Sequence, residues 1–184
     1  MPLAFSRDRQ FPEVLRDFGD YRWTIPVLTL STMDGQRDEE TWEIARDILA
    51  LRFEEVEVPP AVQDMLIADS GGVLSILFNL CYNACVTAHA RQPHLLTEEI
   101  AGEARLDRQN RFHAGLQEAD YQTLSQRLPN RMPHVDEQFL DLLYANCIIE
   151  YATGGRSWYD MHPLVRELVA EWREERRKDK EGQP

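Results

Sequence analysis

The sequence predicts a mostly α fold. A helical bundle comes first, then a helix, a β-hairpin and a second helix, with a short β segment near the N-terminus. Three observations carry this. Apolar residues recur at helical spacing from Trp42 to Phe53 and again over Val73–Ala90. Polar capping residues stand ahead of the periodic runs at Asp38, Ser70, Thr97 and Asp136. Two runs of branched and aromatic residues, Cys147–Tyr151 and Ser157–Met161, flank the turn Thr153-Gly154-Gly155-Arg156.

Composition sets the frame. The 184 residues carry 20 basic and 32 acidic side chains, a formal net charge of −12. A chain of this length buries about 70% of its unfolded surface and needs no disulfide or metal staple. Apolar residues at 43% and charged residues at 28% are ordinary globular values and exclude wholesale disorder. No apolar run reaches the roughly 20 residues that span a bilayer. Met1–Asp8 lacks the apolar region of a signal peptide. The expectation is a soluble, cytoplasmic protein without a membrane partner. Three cysteines, Cys81, Cys85 and Cys147, are an odd number and point to reduced thiols. The acidic balance weighs against a nucleic-acid partner, whose phosphates Lys and Arg must neutralise.

The elements follow in order. Phe11–Phe18 reads as a short helix with Pro12 in its first turn. Thr24–Leu30 is rich in branched residues and reads as a strand, which Pro26 confines to a late start or a sheet edge. Ser31–Gln36 is a turn. Asp38 then caps a helix whose first turn holds Glu39 and Glu40, where the helix dipole favours anions. Pro59-Pro60 breaks the chain, and Pro60–Ala68 is a short helix.

Val73–Ala90 is apolar on most sides, the mark of a helix buried in a bundle. Ser70 is expected to cap it, with Gly71 and Gly72 in its opening turn. Arg91–His94 ends it, and Thr97 caps the next helix, which runs with a break toward Leu128. The second half of that run is polar and reads as a connector between domains rather than as core. Pro129–Pro133 is the best linker in the sequence. Beyond it, the helix capped by Asp136, the hairpin and a helix opened by Pro163 outline a winged-helix unit. The mixed charges of Arg173–Glu181 are expected to fray into solvent.

The chain holds no phosphate loop, dinucleotide-binding glycine motif, nucleophile elbow, His-Glu-x-x-His or Cys-x-x-Cys. Cys81, Cys85 and His89 share one helix face, which admits two metal ligands. Core packing is the reading for the thiols on so apolar a helix. His162 reads as the residue before a helix start rather than as a catalytic or pH-sensing group. Reading of DNA by the winged helix is disfavoured. The helix ahead of the hairpin carries Asp136, Glu137 and Asp141 without a cation, and the hairpin adds only Arg156.

The order of parts resembles a known family. Ser70-Gly71-Gly72-Val73-Leu74 opens a buried helix, Thr97-Glu98-Glu99-Ile100 opens the next, and Met161-His162-Pro163-Leu164-Val165 leads out of the hairpin. Together they look like the C-terminal part of a bacterial P-loop ATPase of the AAA+/STAND type. The resemblance implies that residues 1–34 correspond to the end of the α/β core, 35–130 to the helical lid and 131–184 to the winged helix. It also implies that the residues binding triphosphate and magnesium belong to a core outside this sequence. This chain then has no catalytic or metal-binding residues of its own, and ATP and Mg enter only through that core.

A weak nucleotide-facing turn is implied at Ser70, Gly71, Gly72 and Ser75. Such families carry a phosphate-sensing arginine at the register of Ser75, and serine supplies no cation there. Backbone N–H groups at Gly71 and Gly72 are the remaining offer to an anion, against the alternative of a tight turn. The expected function is a non-catalytic regulatory or protein-interaction module whose partner is the ATPase core or another protein. A stand-alone adaptor is the alternative, and a DNA-binding regulator comes third.

Overall fold

The computed structural model describes residues 27–53, 58–91, 95–127, 134–153 and 156–181. The helix expected at Phe11–Phe18, the linker Pro129–Pro133 and the central glycines of the hairpin turn lie outside them. Among the described residues the fold is mostly helical, with seven helices and one antiparallel pair of strands. No helix among them is long and apolar enough to cross a membrane.

The β segment expected over Thr24–Leu30 is corrected where it is described. Residues 27–30 form no strand, and no ladder pairing involves them among the described residues. Instead the Leu28 N–H donates to the Gly72 carbonyl at 2.9 Å. A single bridge, Ser31 to Arg37, closes the turn that follows.

Helix α1 (Glu39–Arg52) starts where expected. The Asp38 carboxylate accepts from the Thr41 N–H at 3.2 Å, and Trp42, Ala45 and Leu49 turn one apolar face inward. The Trp42 indole donates to the Leu30 carbonyl at 3.0 Å, and the Arg37 guanidinium lies 3.7 Å over its ring. Arg46 grips Asp64 of α2 (Pro60–Ser70) through two bonds of 2.8 and 2.9 Å. That fork is the geometry guanidinium and carboxylate favour.

Ser70 does not cap the following helix. It is the last residue of α2, which ends in a left-handed Gly71 at φ 60°. Helix α3 (Leu74–Ala90) begins after Val73, with no side-chain cap. Two successive glycines favour the left-handed end of a preceding helix over the N-terminus of the next. The buried face of α3 carries Ile76, Leu77, Leu80, Cys81, Ala84 and Ala88 and packs on α2 and α4 (Glu98–Gly115). Thr97 caps α4, its hydroxyl accepting from the Ile100 N–H at 3.3 Å.

The run toward Leu128 breaks at Leu116-Gln117, and α5 (Glu118–Arg127) follows. The Asp120 carboxylate reaches back to the Gln117 N–H at 2.9 Å, the return arm of a capping box. This segment is core rather than connector. Tyr121 and Leu124 are buried, and α5 packs on α6 (Glu137–Tyr144) and α7 (Pro163–Glu181).

Asp136 caps α6 by accepting from the Phe139 N–H at 3.0 Å. The helix ends at Tyr144 with Ala145 as its C-cap, and Asn146 follows in the left-handed region at φ 56°, with the Cys147 N–H on the Leu142 carbonyl. Strands β1 (Ile148–Thr153) and β2 (Arg156–Met161) pair antiparallel, from Ile148 opposite Met161 to Thr153 opposite Arg156. Phe139 meets the Tyr159 ring edge-on at 5.1 Å, which seats α6 on the hairpin.

The charged tail does not fray within Arg173–Glu181. Helix α7 continues to Glu181, and its polar side chains hold α5. Trp172 stacks on Tyr121 and donates to Glu118 at 3.0 Å, Arg173 donates to Ser125 at 2.7 Å, and Arg176 pairs with Glu118.

Candidate functional site

The predicted turn lies where the helical bundle meets the hairpin and α7. Gly71 and Gly72 follow one another with φ of 60° and 81°, a sequence of conformations that side chains with a Cβ resist. Space forbids the Cβ as well. At Gly71 it would lie 2.5 Å from Ile149 Cδ1 and 2.8 Å from Pro163 Cδ. At Gly72 it would lie 1.9 Å from the Leu28 carbonyl oxygen. Three separate stretches of chain therefore close on two glycines.

Polar contacts tighten this joint. The buried Tyr151 hydroxyl, 80 residues from the turn in sequence, donates to the Gly71 carbonyl at 2.8 Å. The Ser70 hydroxyl donates to the Ile67 carbonyl at 2.7 Å and accepts from the Gly72 N–H at 3.1 Å. Beside Ser70, Asp69 takes a bond of 3.2 Å from Arg105 of α4, and Arg105 also pairs with Glu167 of α7. Burial pushes the Asp69 carboxyl above its ordinary range, and Arg105 pulls against that shift. Gln109 donates to both the Leu164 carbonyl at 3.3 Å and the Glu167 carboxylate at 3.0 Å. Through this chain α2, α4 and α7 share one set of bonds.

His162 sits fully buried at the same joint. Its Nδ1 accepts from the Leu164 N–H at 3.3 Å, and its carbonyl accepts from Val165 and Arg166, so it is the N-cap of α7. Its ring tilts against Phe112 at 4.8 Å. Burial, then the nearby Arg108 and Arg166 cations, push its pKa down to about 3, while the Ser70 carbonyl acts in the other direction. Neutral imidazole is the form this cap requires, since a protonated Nδ1 cannot accept.

The structure brings Ser70, Gly71 and Gly72 together at the joint and leaves Ser75 exposed on the first turn of α3. The N–H groups considered for an anion have partners within the fold. Gly71 donates to the Ala68 carbonyl, Gly72 to the Ser70 hydroxyl and Val73 to the Ser70 carbonyl. Sequence reasoning missed Tyr151, Asp69, Arg105, Gln109 and Glu167, because nothing local links a strand tyrosine to a helix end so distant in sequence. Cys81 is part of the buried core and Cys85 is half-buried. Burial raises both thiols, Cys81 to about 12, and keeps them protonated. Among the described residues no group of three His, Cys, Asp or Glu side chains is placed to hold a metal ion.

The joint positions parts against one another. Its tyrosine supplies a first prediction. Tyr151→Phe removes the donor to a buried carbonyl and costs about 1–2 kcal/mol. A urea titration then shows a lower midpoint with an unchanged slope, since the surface exposed on unfolding stays the same.

No family model, curated protein or solved structure matches the chain.

Proposed function

We propose that this chain is the lid and winged-helix portion of an AAA+/STAND-like ATPase, acting as a non-catalytic regulatory module for a nucleotide-binding core. The observation that supports this is the meeting of its two signature stretches. Ser70-Gly71-Gly72 and His162-Pro163, far apart in sequence, pack into one joint through Gly71, Pro163 and the Tyr151 hydroxyl. A lid conveys its position to a winged helix only through such a fixed contact.

In this reading α6, β1, β2 and α7 form the winged helix. Its leading helix contacts protein rather than DNA, because Asp136, Glu137 and Asp141 would repel phosphates. Phosphoryl transfer depends on positioned magnesium and phosphates, and those groups belong to the core. This chain's contribution to nucleotide is confined to the start of α3 near Ser75. Its main contribution is mechanical: the lid carries α2–α4, and α7 follows through Arg105, Gln109 and Glu167.

The test is native purification from the source cells with an antibody against this chain, followed by peptide sequencing and an ATPase assay. The reading expects a phosphate-loop ATPase sequence, in the same polypeptide or in a stoichiometric companion, and ATP turnover in the sample. A pure native species of the calculated 21.4 kDa with neither would overturn it and favour the stand-alone adaptor.

A further inference from the structure

We propose that a cavity between α4, α5 and α6, bordering the joint through Phe112, binds a small organic monocarboxylate through Arg108. The cavity has a volume of about 440 Å³, within the range of small-molecule sites. Phe112, Leu116 and Leu142 give it apolar walls, and Arg108 and Gln138 give it polar groups.

Arg108 differs from its neighbours. Arg105 pairs with Asp69 and Glu167, Arg111 with Asp107 at 2.9 Å, and Arg166 with Asp160 at 2.8 Å. The Arg108 Nε is buried and has no hydrogen-bond partner among the described residues. The Phe112 ring lies 4.6 Å from its guanidinium. Burial, and then the like charge of Arg111, lower its pKa from the usual guanidinium value, against a smaller opposing pull from Cys147 and Asp107, the latter engaged by Arg111. A half-buried cation that makes no ion pair among the described residues costs stability, and cations of that kind gather at ligand sites.

The acids that line the cavity do not supply the counter-ion. Asp120 is engaged at both oxygens, by the Gln138 amide at 3.1 Å and the Gln117 N–H at 2.9 Å. Asp141 lines the cavity as an exposed residue and makes no ion pair with Arg108. Gln138 is fixed in orientation, since its carbonyl accepts from the Thr123 hydroxyl at 3.0 Å. Its amide has two N–H donors, of which Asp120 uses one. A carboxylate seated against Arg108 gains a charge-assisted pair, and an aromatic or aliphatic body fills the apolar walls. Two carboxylates in the lining disfavour the second charge of a phosphate ester.

The test titrates benzoate and, separately, inorganic phosphate into the full chain. The readouts are the Arg108 Nε–H resonance and thermal unfolding. Benzoate is expected to shift that resonance saturably and to raise the melting temperature. Arg108→Met is expected to weaken benzoate at least about tenfold while melting no lower than the wild type. A second variant, Ala145→Trp, fills the cavity from its exposed rim and is expected to abolish the benzoate response with the Arg108 side chain intact. Saturation by phosphate but not benzoate overturns the assignment. So does benzoate binding that survives either variant. A melting temperature that drops in Arg108→Met, with no benzoate response in the wild type, makes Arg108 a packing residue and also overturns it.

Discussion

Gly72→Ala lowers the stability of this chain by about 2–4 kcal/mol. Two costs add. A residue with a Cβ held at φ 81° costs about 1–2 kcal/mol. The added Cβ would stand 1.9 Å from the Leu28 carbonyl oxygen, so the 27–30 segment must withdraw. Withdrawal breaks the bond from the Leu28 N–H to the Gly72 carbonyl, worth about 1 kcal/mol, and uncovers part of Leu28. For a chain of this length the melting temperature falls by roughly 5–15 °C. Thermal unfolding followed by circular dichroism measures it. A loss below about 1 kcal/mol would mean that the 27–30 segment does not bear on the turn.

The buried His162 is expected to make stability fall with acid. Its folded pKa of about 3 lies below the ordinary histidine value of 6.5. Between those pH values the unfolded chain takes up a proton that the folded chain refuses. The contribution of His162 is therefore complete above pH 6.5 and is lost as pH falls toward 3. The slope reaches about 1.4 kcal/mol per pH unit. Asp69 works the other way, because a carboxyl raised by burial favours the fold as pH drops. His162→Asn separates the two. Asparagine keeps an oxygen to accept from the Leu164 N–H and does not titrate. It forfeits the ring contact with Phe112, so the variant begins less stable at pH 7.5. Its midpoint then changes less than that of the wild type down to pH 5. Parallel pH profiles for the two proteins would refute the assignment.

Much of this fold is legible in the sequence because its signals are local. Asp38, Thr97 and Asp136 each bond an N–H three residues on, and a capping side chain needs only that short reach. The hairpin and the start of α7 follow from the residues that flank their turns. Ser70 misled because serine ahead of an apolar run reads as an N-cap. The two glycines instead terminate α2, and the Ser70 hydroxyl serves that end. The charged stretch after Arg173 read as solvated because its partners, Glu118 and Ser125, lie on another helix. The joint was half visible. Its glycines and His162 stand out in the sequence, whereas Tyr151, Arg105 and Glu167 are joined only by tertiary packing.

The Ser70–Gly72 turn couples the helical bundle to the hairpin and α7. Amide hydrogen exchange on the wild type and Gly72→Ala measures this directly, because exchange reports which segments open together. The substitution is expected to raise exchange in α3 and α7 by a similar free energy, with β1 following α7. Faster exchange confined to residues near the turn, with α7 and the hairpin unchanged, would contradict it.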